Sequence, residues 1–221
     1  MRFYVLRDPP SGSPIDEEAG TEAFRIEGYR AGEAARCPLC GKWISMLSWL
    51  PPFEADLETW GRMFGDLAYK GRDEILVSQR FRALFEEYGL IGLSSFDPVS
   101  IVKVIRHRKL LGEPPAYYRA CVARSRAVID QQASGFVWRE PPTCPECREG
   151  RIIKRWSRII LEADTWSGED VFRPRGLAII LVTERFKDFC KSNDIKNAFL
   201  VPMEEFAHNY YPWESSAIQD S

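Results

Sequence analysis

Cys37-Pro38-Leu39-Cys40-Gly41 and Cys144-Pro145-Glu146-Cys147 are the two stretches around which the chain is organised. Each has the Cys-Pro-x-Cys form of a zinc knuckle, a tight turn that directs two sulfur atoms toward one point. Proline fixes φ inside the turn, and a glycine such as Gly41 permits the positive φ that commonly follows. Two such turns supply the four thiolates of one structural Zn2+ per chain. The predicted ligands are Cys37, Cys40, Cys144 and Cys147.

The two cysteine pairs are far apart in the sequence. From Cys37 to Cys144 is 107 residues, whereas a compact zinc ribbon has roughly 15–20 residues between its pairs. A shared metal would therefore join two distant parts of one fold. A redox-active dithiol, a disulfide and two separate sites stay open as alternatives. A redox pair should open a helix after a strand, and the strand-like residues that follow each pair do not favour this.

Length and composition indicate an ordinary globular protein. The 221 residues are enough for one large domain or two small ones, and 45% hydrophobic with 28% charged residues is typical of soluble proteins. A net charge of −2 gives no global attraction to nucleic acid or to a membrane surface. No apolar run approaches the ~20 residues of a membrane span, and the N-terminal residues lack a secretory signal. We therefore expect a cytoplasmic protein with reduced thiols, which favours metal over disulfides.

The remaining cysteines and the histidines are not expected to act in a site. Cys190 lies on the apolar stripe of a predicted helix, and Cys121 lies in an alternating, strand-like run. A lone cysteine on a core face usually behaves as a small hydrophobic residue. His107 and His208 have no evident partner in the sequence.

Apolar patterns predict strands along the whole chain. The predicted strands include 3–7, 24–29, 42–50, 75–77, 96–104, 118–123, 152–161, 179–182 and 199–201. Helices are predicted after Ser78 and after Thr183, which are good N-cap residues, and also over 54–64. Residues 8–14, rich in proline, serine and glycine, are predicted to form a loop.

The two halves of the chain share a pattern. Residues 75–81 match residues 180–186 at an offset of 105, and five of the seven positions are identical. Further matches join the two halves in the same order: Glu54-Ala55-Asp56 with Glu162-Ala163-Asp164, Trp60 with Trp166, and Asp66-Leu67 with Asp170-Val171. The shared order predicts an internal duplication.

The predicted fold is α+β, with two similar half-modules of mostly antiparallel strands plus one helix each. The halves are 1–110 and 111–208, followed by a tail at 209–221 that is aromatic and then polar. If they pack about a rough two-fold axis, the equivalent knuckles meet and one metal cross-links them. Such a cross-link removes entropy from the unfolded chain and adds folding energy.

The sequence contains no motif that predicts catalysis. It has no Gly-rich phosphate loop, no Gly-x-Ser-x-Gly elbow and no His-Glu-x-x-His. The two Glu-Ala-Asp triplets supply carboxylates and are interpreted as structural, with a glycosidase-type carboxylate pair left open as the alternative. A zinc ion with four thiolate ligands has no open coordination position for a substrate. The protein is therefore not expected to be an enzyme.

Two CxxC(G) knuckles about a hundred residues apart, in a chain of this length, resemble the myxobacterial double-CxxCG motif proteins. The strand-Ser/Thr-x-Arg-Phe-helix element is also similar to the tail module of several bacterial toxin-immunity families. The resemblance covers most of the chain. The first knuckle fits the motif, whereas in the second Arg148 replaces the glycine and Gly150 comes two residues later. We expect this departure to alter the local turn and leave the four sulfur atoms in place.

The resemblance implies an immunity protein that binds a cognate toxin, the C-terminal domain of a swarm-inhibition lipoprotein toxin, and occludes its active surface. The alternative is a zinc-containing nucleic-acid-binding or regulatory module, which the acidic pI of about 5.9 makes the weaker interpretation. The sequence does not identify the contact surface. Three regions are candidates: the acidic residues Asp16, Glu17, Glu18 and Glu22, the aromatic residues Tyr210, Tyr211 and Trp213, and the basic run Arg106, His107, Arg108 and Lys109.

Overall fold

The computed structural model describes residues 1–69, 73–109, 112–150 and 152–210, and over these ranges the protein is α+β and mostly strands. The strands are Phe3–Arg7 (β1), Thr21–Arg25 (β2), Ala31–Arg36 (β3), Trp43–Trp49 (β4), Glu54–Thr59 (β5), Leu67–Tyr69 (β6), Glu74–Ser78 (β7), Leu93–Arg106 (β8), Tyr117–Val128 (β9), Val137–Glu140 (β10), Ile152–Trp156 (β11), Val171–Arg175 (β12), Ile180–Thr183 (β13), Phe199–Pro202 (β14) and His208–Asn209 (β15). The helices are Pro14–Ala19 (α1), Gln79–Glu87 (α2) and Glu184–Ser192 (α3), with a 3-10 turn at Met203–Glu205.

Ten of the described strands form one sheet in the order β14-β1-β13-β12-β9-β7-β6-β2-β5-β8. β8 also pairs with β9, so six strands close into a ring in the order β9-β7-β6-β2-β5-β8. Most pairs are antiparallel, and β2–β6, β5–β8 and β9–β12 are parallel. Two small sheets stand apart from the ring, β3-β4 and β10-β11-β15.

The two predicted halves exchange strands within the large sheet. β1 lies between β13 and β14, with Val5 opposite both Leu181 and Val201. Conversely, β9 pairs with β7 and β8. Strands β7 and β13 are covered on both faces, since every residue of each is buried. This is why their sequences are continuous apolar runs rather than alternating ones.

Helices α2 and α3 share one core. Each begins at the predicted cap, where a side-chain hydroxyl accepts a hydrogen bond from the backbone N–H three residues later, Ser78 for α2 and Thr183 for α3. Phe81 and Phe186 are fully buried, and their ring centroids lie 6.2 Å apart. The apolar faces of the two helices therefore pack against each other.

A buried aspartate fixes the start of α2. The carboxylate of Asp66 accepts a hydrogen bond from the hydroxyl of Ser78 at 2.6 Å and one from the backbone N–H of Lys196 at 2.9 Å. It also forms an ion pair with Arg80. Arg80 continues to the end of α3, where it donates to the carbonyl of Asn193 at 2.9 Å. The start of one helix is thereby joined to the end of the other.

The same arrangement occurs at the start of α3. Asp170 accepts from the hydroxyl of Thr183 at 2.9 Å and from the backbone N–H of Ile91 at 3.1 Å. Its ion pair is with Arg185, at 2.9 Å. Arg185 donates to the carbonyl of Gly89 at 3.2 Å, at the end of α2. The contacts of the two aspartates are reciprocal, since each network reaches the C-terminus of the opposite helix.

The predicted helices differ from the structure at two places. The helix predicted over 54–64 is wrong, because β5 occupies Glu54–Thr59, and its alternate residues Ala55, Leu57 and Thr59 are buried. That alternation is the signature of a strand with one buried face. Helix α1 was not predicted, although the hydroxyl of Ser13 caps it and Pro14 occupies its first turn.

The two Glu-Ala-Asp triplets do not occupy equivalent structures. Residues 54–56 begin β5, whereas residues 162–164 lie outside the strands in a turn, where Asp164 has a φ of 58°. Glu162 forms an ion pair with Arg148. The similarity of these triplets in sequence does not extend to their backbone conformation.

Candidate metal centre

Each cysteine knuckle connects two strands of a small sheet. The first knuckle, residues 37–41, joins β3 to β4 in a hairpin, and the second knuckle, residues 144–148, lies between β10 and β11. The hairpin is held against the large sheet by its backbone. The carbonyl of Ile44 accepts from Arg124 at 3.1 Å and from Arg173 at 3.0 Å, and the backbone N–H of Met46 donates to Asp73 at 2.5 Å. These contacts place the first knuckle beside the second.

The four knuckle cysteines form one cluster. Sγ of Cys37 lies 3.8 Å from Sγ of Cys144, and Sγ of Cys40 lies 3.7 Å from Sγ of Cys147. All four sulfur atoms lie within 4.8 Å of one another. A tetrahedral site with Zn–S bonds of about 2.3 Å has sulfur atoms about 3.8 Å apart at its edges. These two separations match this edge, so the donor set fits a tetrahedral thiolate site.

The thiols are not joined as disulfides. All six cysteines lie in the described part of the chain, and all are free. A disulfide requires sulfur atoms about 2.05 Å apart, well below the 3.7 Å and 3.8 Å separations of the cluster. The pairs also meet at one point, rather than forming two separate clusters. The structure therefore favours the shared site among the alternatives that the sequence left open.

Both knuckles have the same backbone turn. The N–H of Gly41 donates to the carbonyl of Cys37 at 2.9 Å, and the N–H of Arg148 donates to the carbonyl of Cys144 at 3.1 Å. Gly41 has a φ of 71° and Arg148 has a φ of 54°. The expectation that Arg148 would alter the turn is wrong, because the arginine adopts the left-handed conformation that is usually left to glycine.

The contacts of Arg148 hold it in this conformation. Its side chain forms an ion pair with Glu162, and its carbonyl accepts a hydrogen bond from Gln131 at 3.0 Å. Gly150, two residues later, has a different role. A Cβ atom at Gly150 would lie 2.3 Å from the ring of Trp138. This glycine is required for close packing rather than for the knuckle turn.

The cluster is largely shielded from solvent. Cys37, Cys144 and Cys147 are buried, together with Ile44 of β4, whereas Cys40 is exposed. The backbone N–H of Cys147 donates toward the sulfur of Cys144 and lowers the pKa of that thiol to about 7. Burial raises the pKa of Cys147 to about 12. A divalent cation would offset the cost of ionising the buried thiols, because thiolates are the form that binds metal.

The other two cysteines lie outside the cluster. Cys190 lies on α3 and is buried in the core, as predicted, and burial raises its pKa. Cys121 is partly buried in β9, and burial raises its pKa as well. Neither shift produces the reactive thiolate of a nucleophile.

Sequence reasoning missed the partners of the histidines. His107 lies 2.6 Å from the carboxylate of Glu58 and stacks on Trp60 at 5.3 Å. The contact arises because β5 pairs with β8. The sequence of neither strand predicts that pairing. His208 packs against Trp156, with ring centroids 5.2 Å apart.

Two of the candidate contact regions face one another. Glu17 of the acidic region lies 3.7 Å from Arg108 of the basic run, and Glu18 forms an ion pair with Lys196 at 2.7 Å. Some charged side chains of both regions therefore already have partners within the protein. Tyr210 is half exposed, whereas residues 211 and 213 lie outside the described residues.

No family model and no curated protein matches the chain. Among the described residues, no helix has the length and apolar character needed to span a membrane. The function proposed for the protein therefore depends on the cysteine cluster and on the motifs that form it.

Proposed function

We propose that the cluster holds one structural Zn2+ per chain, with Cys37, Cys40, Cys144 and Cys147 as its four ligands. The separations of the sulfur atoms support this, since they match the edge of a tetrahedral site. Such a metal adds folding energy and does not act as a Lewis acid, because four thiolates leave no open position. The surrounding residues hold the two knuckles in place and bury three of the four cysteines.

We also propose that the chain arose by internal duplication. The reciprocal contacts of Asp66 and Asp170 support this, because each aspartate binds a cap hydroxyl, an arginine and a backbone N–H of the opposite half. The two knuckle turns add a second matched pair. The zinc would then join equivalent positions of the two halves.

We propose that the protein is a non-catalytic, cytoplasmic immunity protein that binds a cognate toxin domain and occludes its active surface. One observation carries the proposal: the cysteines that meet in one cluster are the residues on which the resemblance to the double-CxxCG immunity proteins depends. A metal-linked scaffold suits this role, because a rigid binding surface loses little entropy when it associates.

The test is co-expression with the product of the adjacent upstream gene, the candidate toxin. We expect a one-to-one complex and recovery of growth in cells that the toxin alone arrests. A Cys121→Ser variant, altered outside the cluster, should protect the cells as well as the wild type does. Absence of a complex together with absence of growth rescue would contradict the proposal.

One observation favours the alternative of a nucleic-acid-binding module. Trp43 is 53% exposed beside the first knuckle, and the guanidinium of Arg36 lies over its ring. Exposed aromatic and basic side chains together can stack on bases and bind phosphates. Retardation of single-stranded DNA or RNA at low salt would support this alternative, and lack of retardation would exclude it.

A further inference from the structure

The hairpin around the first knuckle exposes a concentration of apolar side chains. Of the eleven large hydrophobic residues that are exposed in the described ranges, five lie between residues 39 and 50. They are Leu39, Trp43, Met46, Leu47 and Leu50, each between 36% and 64% exposed. Ile44 and Trp49 of the same segment are buried. The knuckle hairpin, residues 30–50, therefore has one part packed on the body and an apolar part facing solvent, as binding surfaces do.

The charges on the knuckle hairpin are mostly positive. It carries Arg30, Arg36 and Lys42 against the single carboxylate of Glu33. The side chains of the three cations donate to backbone carbonyls at 3.0–3.3 Å, so their charges remain available to a carboxylate. The guanidinium of Arg36 lies 3.4 Å from the ring centre of Trp43. Positive charge thus adjoins the exposed apolar residues.

One strand edge of the knuckle hairpin is available for pairing. The β4 side is occupied, because Ile44 and Met46 use their backbone groups to bind side chains of the body. Among the described strands, β3 pairs with β4 alone. Four of the six residues of β3 are alanine or glycine, which lets another backbone approach. A strand edge of this kind is a template for an added strand.

From these three features we infer that the knuckle hairpin is the docking surface, and that its occupant is an extended segment of a partner protein with alternating apolar and acidic side chains. The segment adds to the edge of β3, its apolar side chains contact Trp43 and Leu47, and its carboxylates pair with the hairpin cations. The inference rests on the proposed binding function and names the surface that performs it. The free strand edge favours a polypeptide over a membrane or a nucleic acid, which offer no backbone to pair with β3.

The probe is a phage-displayed library of random peptides, selected on the zinc-loaded full-length protein. We expect enrichment of peptides in which aspartate or glutamate alternates with large apolar residues. A synthetic peptide of the enriched sequence should bind at least about tenfold more weakly to a Trp43→Ser/Leu47→Ser variant. Val102→Ser is the matched control, since Val102 is 60% exposed on β8 and lies outside the hairpin. Its affinity should stay within about twofold of the wild type.

Two changes to the peptide experiment test the strand and the charges separately. Two peptides should be compared, one N-methylated at the odd positions and one at the even positions. One of them should lose binding and the other should keep it, because only alternate N–H groups of an added strand face its partner. Raising the ionic strength should weaken binding, because exposed charges are screened. Circular dichroism and the zinc content of each variant show that the fold is retained.

Three results of the peptide experiments would overturn the inference. The first is peptide binding that the Trp43→Ser/Leu47→Ser variant retains in full. The second is enrichment of basic peptides, and the third is equal binding by the two peptides that are N-methylated at opposite sets of alternate residues. Hairpin-dependent binding to vesicles of phosphatidylglycerol, to oligothymidylate or to a second copy of the chain would assign the surface to another occupant and overturn it as well.

Failure of the inference is distinct from failure of the proposed function. If the adjacent gene product binds the wild type and the Trp43→Ser/Leu47→Ser variant equally, the immunity role stands and the hairpin inference fails. If that product does not bind but the acidic peptide binds in a hairpin-dependent way, the inference stands and the proposed toxin partner fails.

Discussion

Sγ of Cys37 lies 3.8 Å from Sγ of Cys144, although 107 residues separate the two cysteines. A metal bound here closes the whole stretch of chain between the two knuckles into one loop. Fixing the ends of a loop of roughly 100 residues removes entropy equivalent to about 4–5 kcal/mol from the unfolded state in the cross-link model. The cluster is therefore expected to be a main source of the stability of the protein.

Replacing one ligand should reveal this contribution. We expect Cys40→Ser to lose zinc and to lower the free energy of unfolding by about 4 kcal/mol, measured by urea denaturation. Cys121→Ser is the control, because this partly buried cysteine lies outside the cluster, and it should retain the metal. A Cys40→Ser protein as stable as the wild type would show that the knuckles do not cross-link the fold.

The left-handed residues of the two knuckles should respond differently to substitution. Gly41→Ala is expected to cost about 1 kcal/mol through backbone strain alone, since an added Cβ would meet no atom within 4 Å. Arg148→Gly relieves similar strain but loses the partly exposed ion pair with Glu162, so its net effect should be close to zero. The measurement is the unfolding free energy of each zinc-loaded variant. A destabilising Arg148→Gly with a neutral Gly41→Ala would contradict this account.

The cysteine cluster and the two capped helices were predictable because their signals are local. The spacing of Cys37 and Cys40 identifies a knuckle, and the Ser78 and Thr183 caps mark where helices begin. The segment 54–64 was assigned to a helix because the spacing of its apolar residues fits the 3.6-residue repeat of a helix as well as the two-residue repeat of the observed strand. The turn at Arg148 was missed because a left-handed residue at this position is usually glycine. Tertiary contacts hold the arginine in the same conformation.

The two buried aspartates should be equally important. Asp66→Ala and Asp170→Ala are each expected to cost about 3 kcal/mol, because each leaves buried donors without an acceptor. Asp188→Ala is the control, since that side chain is 63% exposed, and it should change stability by less than about 0.5 kcal/mol. Thermal and urea unfolding of the three variants are the measurements. A large cost at one buried aspartate and none at the other would argue against equivalent networks.

Tyr117 should make stability depend on pH at the alkaline end. It is 1% exposed and donates to the carbonyl of Gly65 at 2.6 Å, and burial raises its pKa. A raised pKa in the folded state gives stability that is fully present below the unfolded value of about 10 and is lost as the pH rises above it.

The measurement is urea unfolding of the wild type and of Tyr117→Phe between neutral pH and about pH 11. At neutral pH the variant should lose about 1–2 kcal/mol with the hydrogen bond. Above about pH 10 its stability should fall less steeply than that of the wild type. Parallel pH profiles for the two proteins would refute the role given to this phenol.

The strand order could not be predicted from the sequence. Val5 pairs with both Leu181 and Val201, and nothing in residues 3–7 distinguishes these partners from other apolar strands. The contact of His107 with Glu58 depends on the same long-range pairing. Local patterns fix which residues form strands, whereas partner choice depends on the packing of the whole chain.

Zinc X-ray absorption spectroscopy, combined with metal quantification on the same purified sample, tests the central claim most directly. The account predicts one zinc per chain, surrounded by four sulfur atoms at about 2.3 Å. Two zinc ions per chain, a shell containing nitrogen or oxygen ligands, or a metal-free folded protein would contradict a single site shared by the two knuckles.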